Sequence, residues 1–404
     1  MTRKRWTALG AAVGALLAAG GLPAKPASAE TPFRIGVVED LSGVYSGNGG
    51  PNMVLATQMA VEDFGGKVLG RPIEVIAVDH QNKPDLGSAL ARQLVDDKHA
   101  SALVLGGSSS VGLAVQSYGK ERHITTLDAG GYASQFSGPG CSPYGSQWVL
   151  STTELANAVA DAVVKGGGKT WYFITADYVF GNTLSAAASK AVKAAGGTVV
   201  GEVKHPLGTA DMSSPILAAQ GSGADVIALA NAGPDLVNAI KQGKDFGVSS
   251  KMIAMLVFTN NTVALGLDVA QGLRFAESFY WDLNDDTRAW AKRFMARNGQ
   301  AVPTIGHAAG YSSTLHYLQA VQKAGTDDAA KVDEAFKALP ITDKLLDNPH
   351  MLANGRVVMD MHLVEVKTPA ESKGPADLYK VVDTIPGDKL FTPAKDSGCP
   401  FTAG

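Results

Sequence analysis

The chain is poor in cysteine: Cys141 and Cys399 are its only two among 404 residues. They stand far apart and form no C-x-x-C, which removes the dithiol redox motif. The eight histidines include no H-E-x-x-H and no pair at i, i+4, so a helical zinc site is excluded. No serine sits in a G-x-S-x-G turn, and neither a P-loop nor a G-x-G-x-x-G fingerprint occurs. No metal, no cofactor and no enzymatic activity are therefore expected. Positive charge is also in short supply. The formal net charge is -3, and aromatic residues make up only 7% of the chain. A basic face is what nucleic acids and anionic membranes require of a partner, so neither is expected.

Long apolar runs are missing with one exception. Arg3, Lys4 and Arg5 precede an apolar stretch from Thr7 to Leu22, and Ala27-Ser28-Ala29 supplies small residues just before Glu30. That is the three-part plan of a secretory signal peptide, with residues 1–29 removed. The run is Gly-rich and short for a membrane span, and no Cys follows it to carry a lipid. Cleavage removes four positive charges and leaves -7. The expected location is the periplasm, with the mature chain free of the membrane and monomeric. In an oxidising compartment Cys141 and Cys399 are expected to pair, the alternative being two buried free thiols.

The roughly 375 remaining residues exceed one compact core and point to two domains. They alternate between strand and helix signals. Strands are expected at Phe33–Val38, Pro72–Val78, Ala102–Leu105 and Ile124–Leu127. Helical spacing runs from Pro51 to Phe64, and Leu86, Leu90 and Leu94 mark the inner face of the next helix. After a Gly/Pro-rich loop at 138–143 the pattern restarts. Strands are expected at Trp171–Thr175, Thr198–Val203, Asp225–Ala230, Met252–Leu256 and Gly272–Ala276, then helices at about Thr287–Arg297 and Pro303–Lys323. The tail reads as two further strands, Arg356–Val366 and Leu378–Ile385. Repeated strand–helix–strand units imply α/β architecture with two doubly wound parallel sheets.

Ligands bind outside the carboxyl ends of such strands. Six loops qualify: 41–50, 106–110, 128–132, 176–181, 231–233 and 257–261. In Gly106-Gly107-Ser108-Ser109-Ser110 a buried strand meets a helix start, where free N–H groups and hydroxyls suit a carboxylate. Helix capping is the equally weighted alternative for these serines. Tyr45, Tyr132, Tyr178, Phe180 and Phe258 all fall in strand-end loops, a bias that suits a cleft for an apolar or aromatic ligand. Asn231 opens another of these loops. His307 begins a helix near an expected domain crossing, with ligand contact weighed against a structural role. Asp79-His80 reads as scaffold.

Several of these segments resemble the branched-chain amino-acid class of bacterial substrate-binding proteins. Ile35 to Gly43 (IGVVEDLSG) is similar to the family's first strand and loop, and Gly106 to Ser110 to its Gly/Ser loop. Ala176 to Gly181 (ADYVFG) resembles its aromatic turn, and ESKGPADLYK and TIPGD resemble the tail of one subgroup. The resemblance implies a type I periplasmic binding fold with three chain crossings. The first lobe would hold residues 31–149 and 278–352, and the second 150–277 and 353–404. Ligand would close the cleft, and the closed form would dock on the permease subunits of an ABC transporter.

The resemblance also places a ligand carboxylate at Ser108, Ser109, Gly130, Gly131 and Tyr132. The acid that pairs with an α-ammonium in amino-acid binders would fall near Phe258 and Thr259, where none stands. An unpaired buried ammonium is costly, so the expected ligand is a small carboxylate without an amino group, an aromatic acid. Asp177 is the residue that could still hold an ammonium. Branched-chain amino acids or amides, and a ligand sensor on the same fold, are the alternatives. A hydrolase using a serine of 108–110 with His307 is a third, without a visible activating constellation.

Overall fold

The computed structural model describes residues 31–402, so the signal-peptide segment lies outside the described residues. The first sheet takes β1 (Phe33–Glu39), β2 (Lys67–Val68), β3 (Arg71–Asp79), β4 (Ala100–Leu105), β5 (Thr125–Asp128) and β6 (Gly145–Gln147), in the spatial order β2-β3-β1-β4-β5-β6. All pairings are parallel except the short β2–β3 hairpin. A second, wholly parallel sheet has the order β10-β9-β7-β8, built from β7 (Thr170–Ala176), β8 (Thr198–His205), β9 (Val226–Ala230) and β10 (Lys251–Ala254). Its inner strand β9 is buried along its whole length, as a sheet covered on both faces requires.

Helices follow the strands. α1 (Gly50–Phe64), α2 (Pro84–Arg92) and α3 (Ser109–Arg122) serve the first sheet. α4 (Thr152–Lys165), α5 (Val179–Ala194), α6 (Ser213–Gly221), α7 (Gly233–Asp245), α8 (Thr259–Leu265) and α9 (Leu267–Ala270) follow in the second half. Pro51 and Pro84 occupy first turns, where the missing N–H costs nothing. The expected inner face of α2 is displaced. Gly87 and Ala91 are its buried residues, whereas Leu86 and Leu90 are only half-buried. At Gly87 a Cβ would strike Val111, so α2 approaches α3 through its small residues.

The strand expected at 272–276 does not extend the parallel sheet. It is β11 (Arg274–Glu277), in an antiparallel sheet β11-β14-β15. Helices α10 (Asp285–Met295), α11 (Ile305–Ala324) and α12 (Ala329–Ala338) return to the first sheet. The bidentate Arg297–Glu62 pair and the Tyr311 hydroxyl, donating to Asp63 at 2.8 Å, bind this segment to α1. Tyr317 donates to the Ser101 carbonyl at 3.2 Å. Helix α12 was not anticipated, although Asp328 caps it by accepting from the Lys331 amide.

The tail strand expected from Arg356 to Val366 is interrupted. β12 (His350–Met351) pairs with β13 (Val357–Val358), and β14 (Met361–Val366) pairs with β11 and with β15 (Tyr379–Ile385), before the short α13 (Gly387–Leu390). The break falls at Met359-Asp360. There the Asp360 amide donates to the Asp347 carbonyl and its carboxylate accepts from the Gly387 amide, so the ladder is abandoned locally.

In the same stretch Arg356 is buried. It pairs with Glu154 at 2.9 Å and lies over the Phe391 ring. The Gln147 amide donates to the Gly355 carbonyl, and Asn354 donates to the Ser137 carbonyl at 2.7 Å. Cys141 and Cys399 form a disulfide with a sequence separation of 258, which fastens the tail to the same region.

Cross-linking so long a loop restricts the unfolded chain, an effect that chain-entropy arguments place at about 5 kcal/mol and that measurements more often put at about 2–4 kcal/mol. The Cys141→Ser/Cys399→Ser double variant should lose that much in urea unfolding. Reduction of the wild-type protein should reproduce the loss, and an unchanged midpoint would show that the tail is held by packing alone.

Candidate functional site

Parallel pairing brings the carboxyl ends of β1, β3, β4 and β5 to one edge, and those of β7, β9 and β10 face them from the second sheet. Between the two edges lies a cavity of about 420 Å³ of atom-free space, counted out to its mouth. All six strand-end loops contribute to its wall. Tyr45, Asn48 and Gly49 follow β1, Gly107 and Ser109 follow β4, and Ala129, Gly130 and Tyr132 follow β5. From the second sheet come Tyr178, Phe180, Ala232 and Phe258. Only Met53, Leu256 and Gly306 come from outside the six loops.

Each polar wall residue is held by backbone chemistry. Asp40 accepts from the Gly43 and Tyr45 amides at 2.6 and 2.8 Å and from the Asn82 side chain, which curls the β1–α1 loop and aims Tyr45. Asp79 accepts from the Leu41 amide and the Ser42 hydroxyl. His80 contacts the Gly106 carbonyl through Nε2 at 3.0 Å, in keeping with a scaffold role for the Asp79-His80 pair. Asp128 accepts from the Gly131 amide at 2.7 Å and shapes the loop after β5.

The serines resolve differently from a simple capping role. Ser108 stands at the N-cap position of α3 yet makes no side-chain cap bond, and it is buried outside the cavity wall. Ser109 Oγ accepts from both the Tyr132 and Ala133 amides, at 3.0 and 3.1 Å. Its lone pairs are thus occupied and its O–H remains to be donated, at a residue that lines the cavity. The aromatic wall is mutually braced. Tyr132 meets Phe180 and Phe258 edge-on, with ring centroids 6.2 and 5.7 Å apart. The Tyr132 hydroxyl is buried without a partner among the described residues.

Five expected site residues lie outside the wall, Ser108 among them. Asp177 is exposed and faces Lys204 at 3.6 Å, because it follows β7 on the outer side of the turn. Asn231 is buried behind the wall against His205 Nε2 at 3.2 Å. His307 is spent on structure: Nδ1 accepts from the Thr304 amide and Nε2 donates to the Gly49 carbonyl at 3.0 Å. Burial drives its pKa down to about 4, so the ring is neutral and fixes the position of Gly49. Gly131 lies one residue outside the wall, bonded to Asp128. No residue that lines the cavity is charged.

The two edges touch. Tyr178 donates to the Tyr45 hydroxyl at 2.8 Å, and Asn260 donates to Asn48 at 2.9 Å. The cleft is closed on a neutral, largely aromatic chamber. From residue 32 to 375 the chain matches the family described as periplasmic binding protein. It belongs to that family. A periplasmic binding protein from Burkholderia mallei is 42% identical, with 92% of this chain and 99% of that one covered and a TM-score of 0.90. A branched-chain amino-acid ABC transporter periplasmic ligand-binding protein from Burkholderia xenovorans LB400 is 35% identical over 91% and 99% of the two chains, with a TM-score of 0.81. A solute-binding protein of an ABC transporter from R. palustris, solved in complex with benzoate, shares the fold at 19% identity and a TM-score of 0.80, covering 91% and 99%. The chain is thus of the branched-chain amino-acid class of periplasmic binding proteins. No helix among its described residues is long and apolar enough to cross a membrane.

The Tyr45–Tyr178 bond exists only while the edges meet. Its loss should cost about 1 kcal/mol and raise the open-to-closed ratio about fivefold. Tyr45→Phe and Tyr178→Phe should each show this by single-molecule FRET between dyes on the two lobes. The double variant should add little to either, since both remove the same bond.

Proposed function

We propose that this binding protein captures small aromatic monocarboxylates in the periplasm and delivers them to the permease subunits of an ABC importer. The observation that carries the reading is Ser109. Its hydroxyl is buried, its acceptor capacity is filled by two amides, and its O–H remains to be donated at the wall of a cavity that Tyr132, Phe180 and Phe258 also line. The first turn of α3 begins at the same residue, and a helix start, whose first N–H groups lack intrahelical acceptors, favours an anion. Aromatic rings opposite would stack on or abut a ligand ring. The benzoate held by the R. palustris protein supports the same class.

In this reading the first lobe comprises residues 31–149 and 278–352, and the second 150–277 and 353–404. The chain works as an exported monomer without catalysis. Branched-chain amino acids are the second reading, named for the B. xenovorans relative. The observation in its favour is Asp235, buried with Oδ1 unpartnered and with its field reaching Tyr45 and Tyr178. Against it, no acid lines the cavity.

Benzoate and its hydroxylated relatives should raise the melting temperature of the purified protein by mass action, and leucine and valine should not. Ser109→Ala should weaken benzoate binding about tenfold to a hundredfold in calorimetry, the loss expected for a hydrogen bond to a charged group. A shift with leucine and none with benzoate would transfer the assignment to the amino-acid reading.

A further inference from the structure

An anion in this cavity would meet no cation on its walls, and the strand ends behind the walls are acidic. β1 ends in Glu39 and continues into Asp40, β3 ends in Asp79 directly opposite Glu39 in register, and β5 ends in Asp128. Asp40 and Asp79 each accept several hydrogen bonds, from the Gly43, Tyr45 and Asn82 groups and from the Leu41, Ser42 and Gln81 groups. Glu39 is different. Its side chain is wholly buried, Oε1 accepts from the Asp40 amide at 2.8 Å, and Oε2 has no hydrogen-bond partner among the described residues.

The position of that carboxyl is what matters. A Cβ at Gly49, Gly106 or Gly107 would come within 2.6 Å of one of its oxygens, so the three glycines are packed directly on it. Gly49 and Gly107 form part of the cavity wall. Glu39 is therefore separated from the cavity by glycine backbone alone, behind the same Gly/Ser loop that presents Ser109.

We propose that Glu39 is a specificity-determining residue of the cleft, held as the neutral acid behind the glycine loops so that a single negative charge is admitted on the other side, which makes anion binding proton-coupled. This rests on the carboxylate reading of the site. An ionised Glu39 would set a second unscreened negative charge a few ångströms from the ligand. As the neutral acid it adds no charge, and its proton gives Oε2 a donor.

The surroundings favour the neutral form. Burial, followed by the charges of Asp40 and Asp79, pushes Glu39 up to about 8 against the opposing pull of the Asp40 and Gly50 amides. The other titratable groups facing this region are Asp128 at the neighbouring strand end, His80 beneath Gly106 and His307 beneath Gly49. Burial lowers the pKa of both histidines, so neither supplies a compensating cation in the range where Glu39 titrates. A bound anion would raise the proton affinity of Glu39 further. Above about pH 8 each anion captured then brings one proton from solvent.

The test uses sodium benzoate and the full mature protein, as wild type and as Glu39→Gln, by calorimetry from pH 6.5 to 9.5 in buffers of different ionisation heat. Wild-type affinity should be flat near pH 7 and fall toward tenfold per pH unit above about 8.5, with proton uptake. Glu39→Gln should show neither the fall nor the uptake, whatever its absolute affinity. Equal pH profiles in the two proteins, or wild-type binding without proton uptake at pH 9, would overturn the proposal. Melting without ligand gives an independent arm. A raised carboxyl pKa contributes stability that is full near pH 4.5 and lost as pH rises toward 8. Wild type should therefore fall relative to Glu39→Gln across that window, and a constant difference overturns the neutral acid. Benzoate binding to neither protein at any pH, with the melting signature intact, would instead overturn the carboxylate reading beneath the proposal. If the variant does not fold, proton uptake by the wild type decides.

Discussion

Parallel strand pairing is the constraint from which the site follows. Because β1, β3, β4 and β5 run the same way, every connection that leaves them does so at one edge, and β7, β9 and β10 repeat the arrangement in the second sheet. Loops drawn from distant stretches of chain thus meet without any loop needing to be long. The strand interiors are buried on both faces, so their sequences are tied to packing. The loops beyond the strand ends remain free to carry serine, glycine and tyrosine.

Acidic residues do most of the loop shaping, and they do so as hydrogen-bond acceptors rather than as ion-pair partners. Asp40, Asp79 and Asp128 gather backbone amides that would otherwise be orphaned where the chain leaves the sheet. The wall they support is itself uncharged. The arrangement has a consequence for ligand choice: whatever binds must be neutralised by N–H dipoles and hydroxyls, which limits the cavity to low charge. Glu39 extends that logic, since one of its carboxyl oxygens is buried at the same edge without a hydrogen-bond partner among the described residues.

Much of this was legible in sequence because the relevant signals are local. Short β-rich runs that give way to polar or Gly-bearing loops locate the strand ends, and all six loops so located reach the cavity. What sequence could not supply was long-range. Gly306 and Leu256 reach the wall through the return of α11 to the first sheet and through the placement of β10, and neither residue type carries a ligand signal of its own. Asp177 and Phe180 belong to one turn, yet one side chain faces solvent and the other the cavity. Which way each points depends on the tertiary path of α5 rather than on residue type. His307 carried a chemical signal that its two backbone bonds consume. On α2 the leucine pattern was outweighed by close helix approach at Gly87.

The segment 352–356 is tied to the first sheet by a buried charge cluster. Arg356 is buried against Glu154, with the Asp128 charge also acting on it, so one guanidinium relates the start of α4, the return strand and the end of β5. Two of its nitrogens are buried without partners, as is Asp128 Oδ2, an arrangement that ordered water would satisfy. Replacing such a charge with an apolar side chain is often neutral for stability, but removing one partner alone is not. The value of the cluster is therefore directional. It fixes where the crossing strands leave the sheet, and the disulfide pins the tail over the same place. A buried ion pair and a covalent bridge thus hold this segment, whereas the edges that meet at Tyr45 and Tyr178 are joined by hydrogen bonds alone.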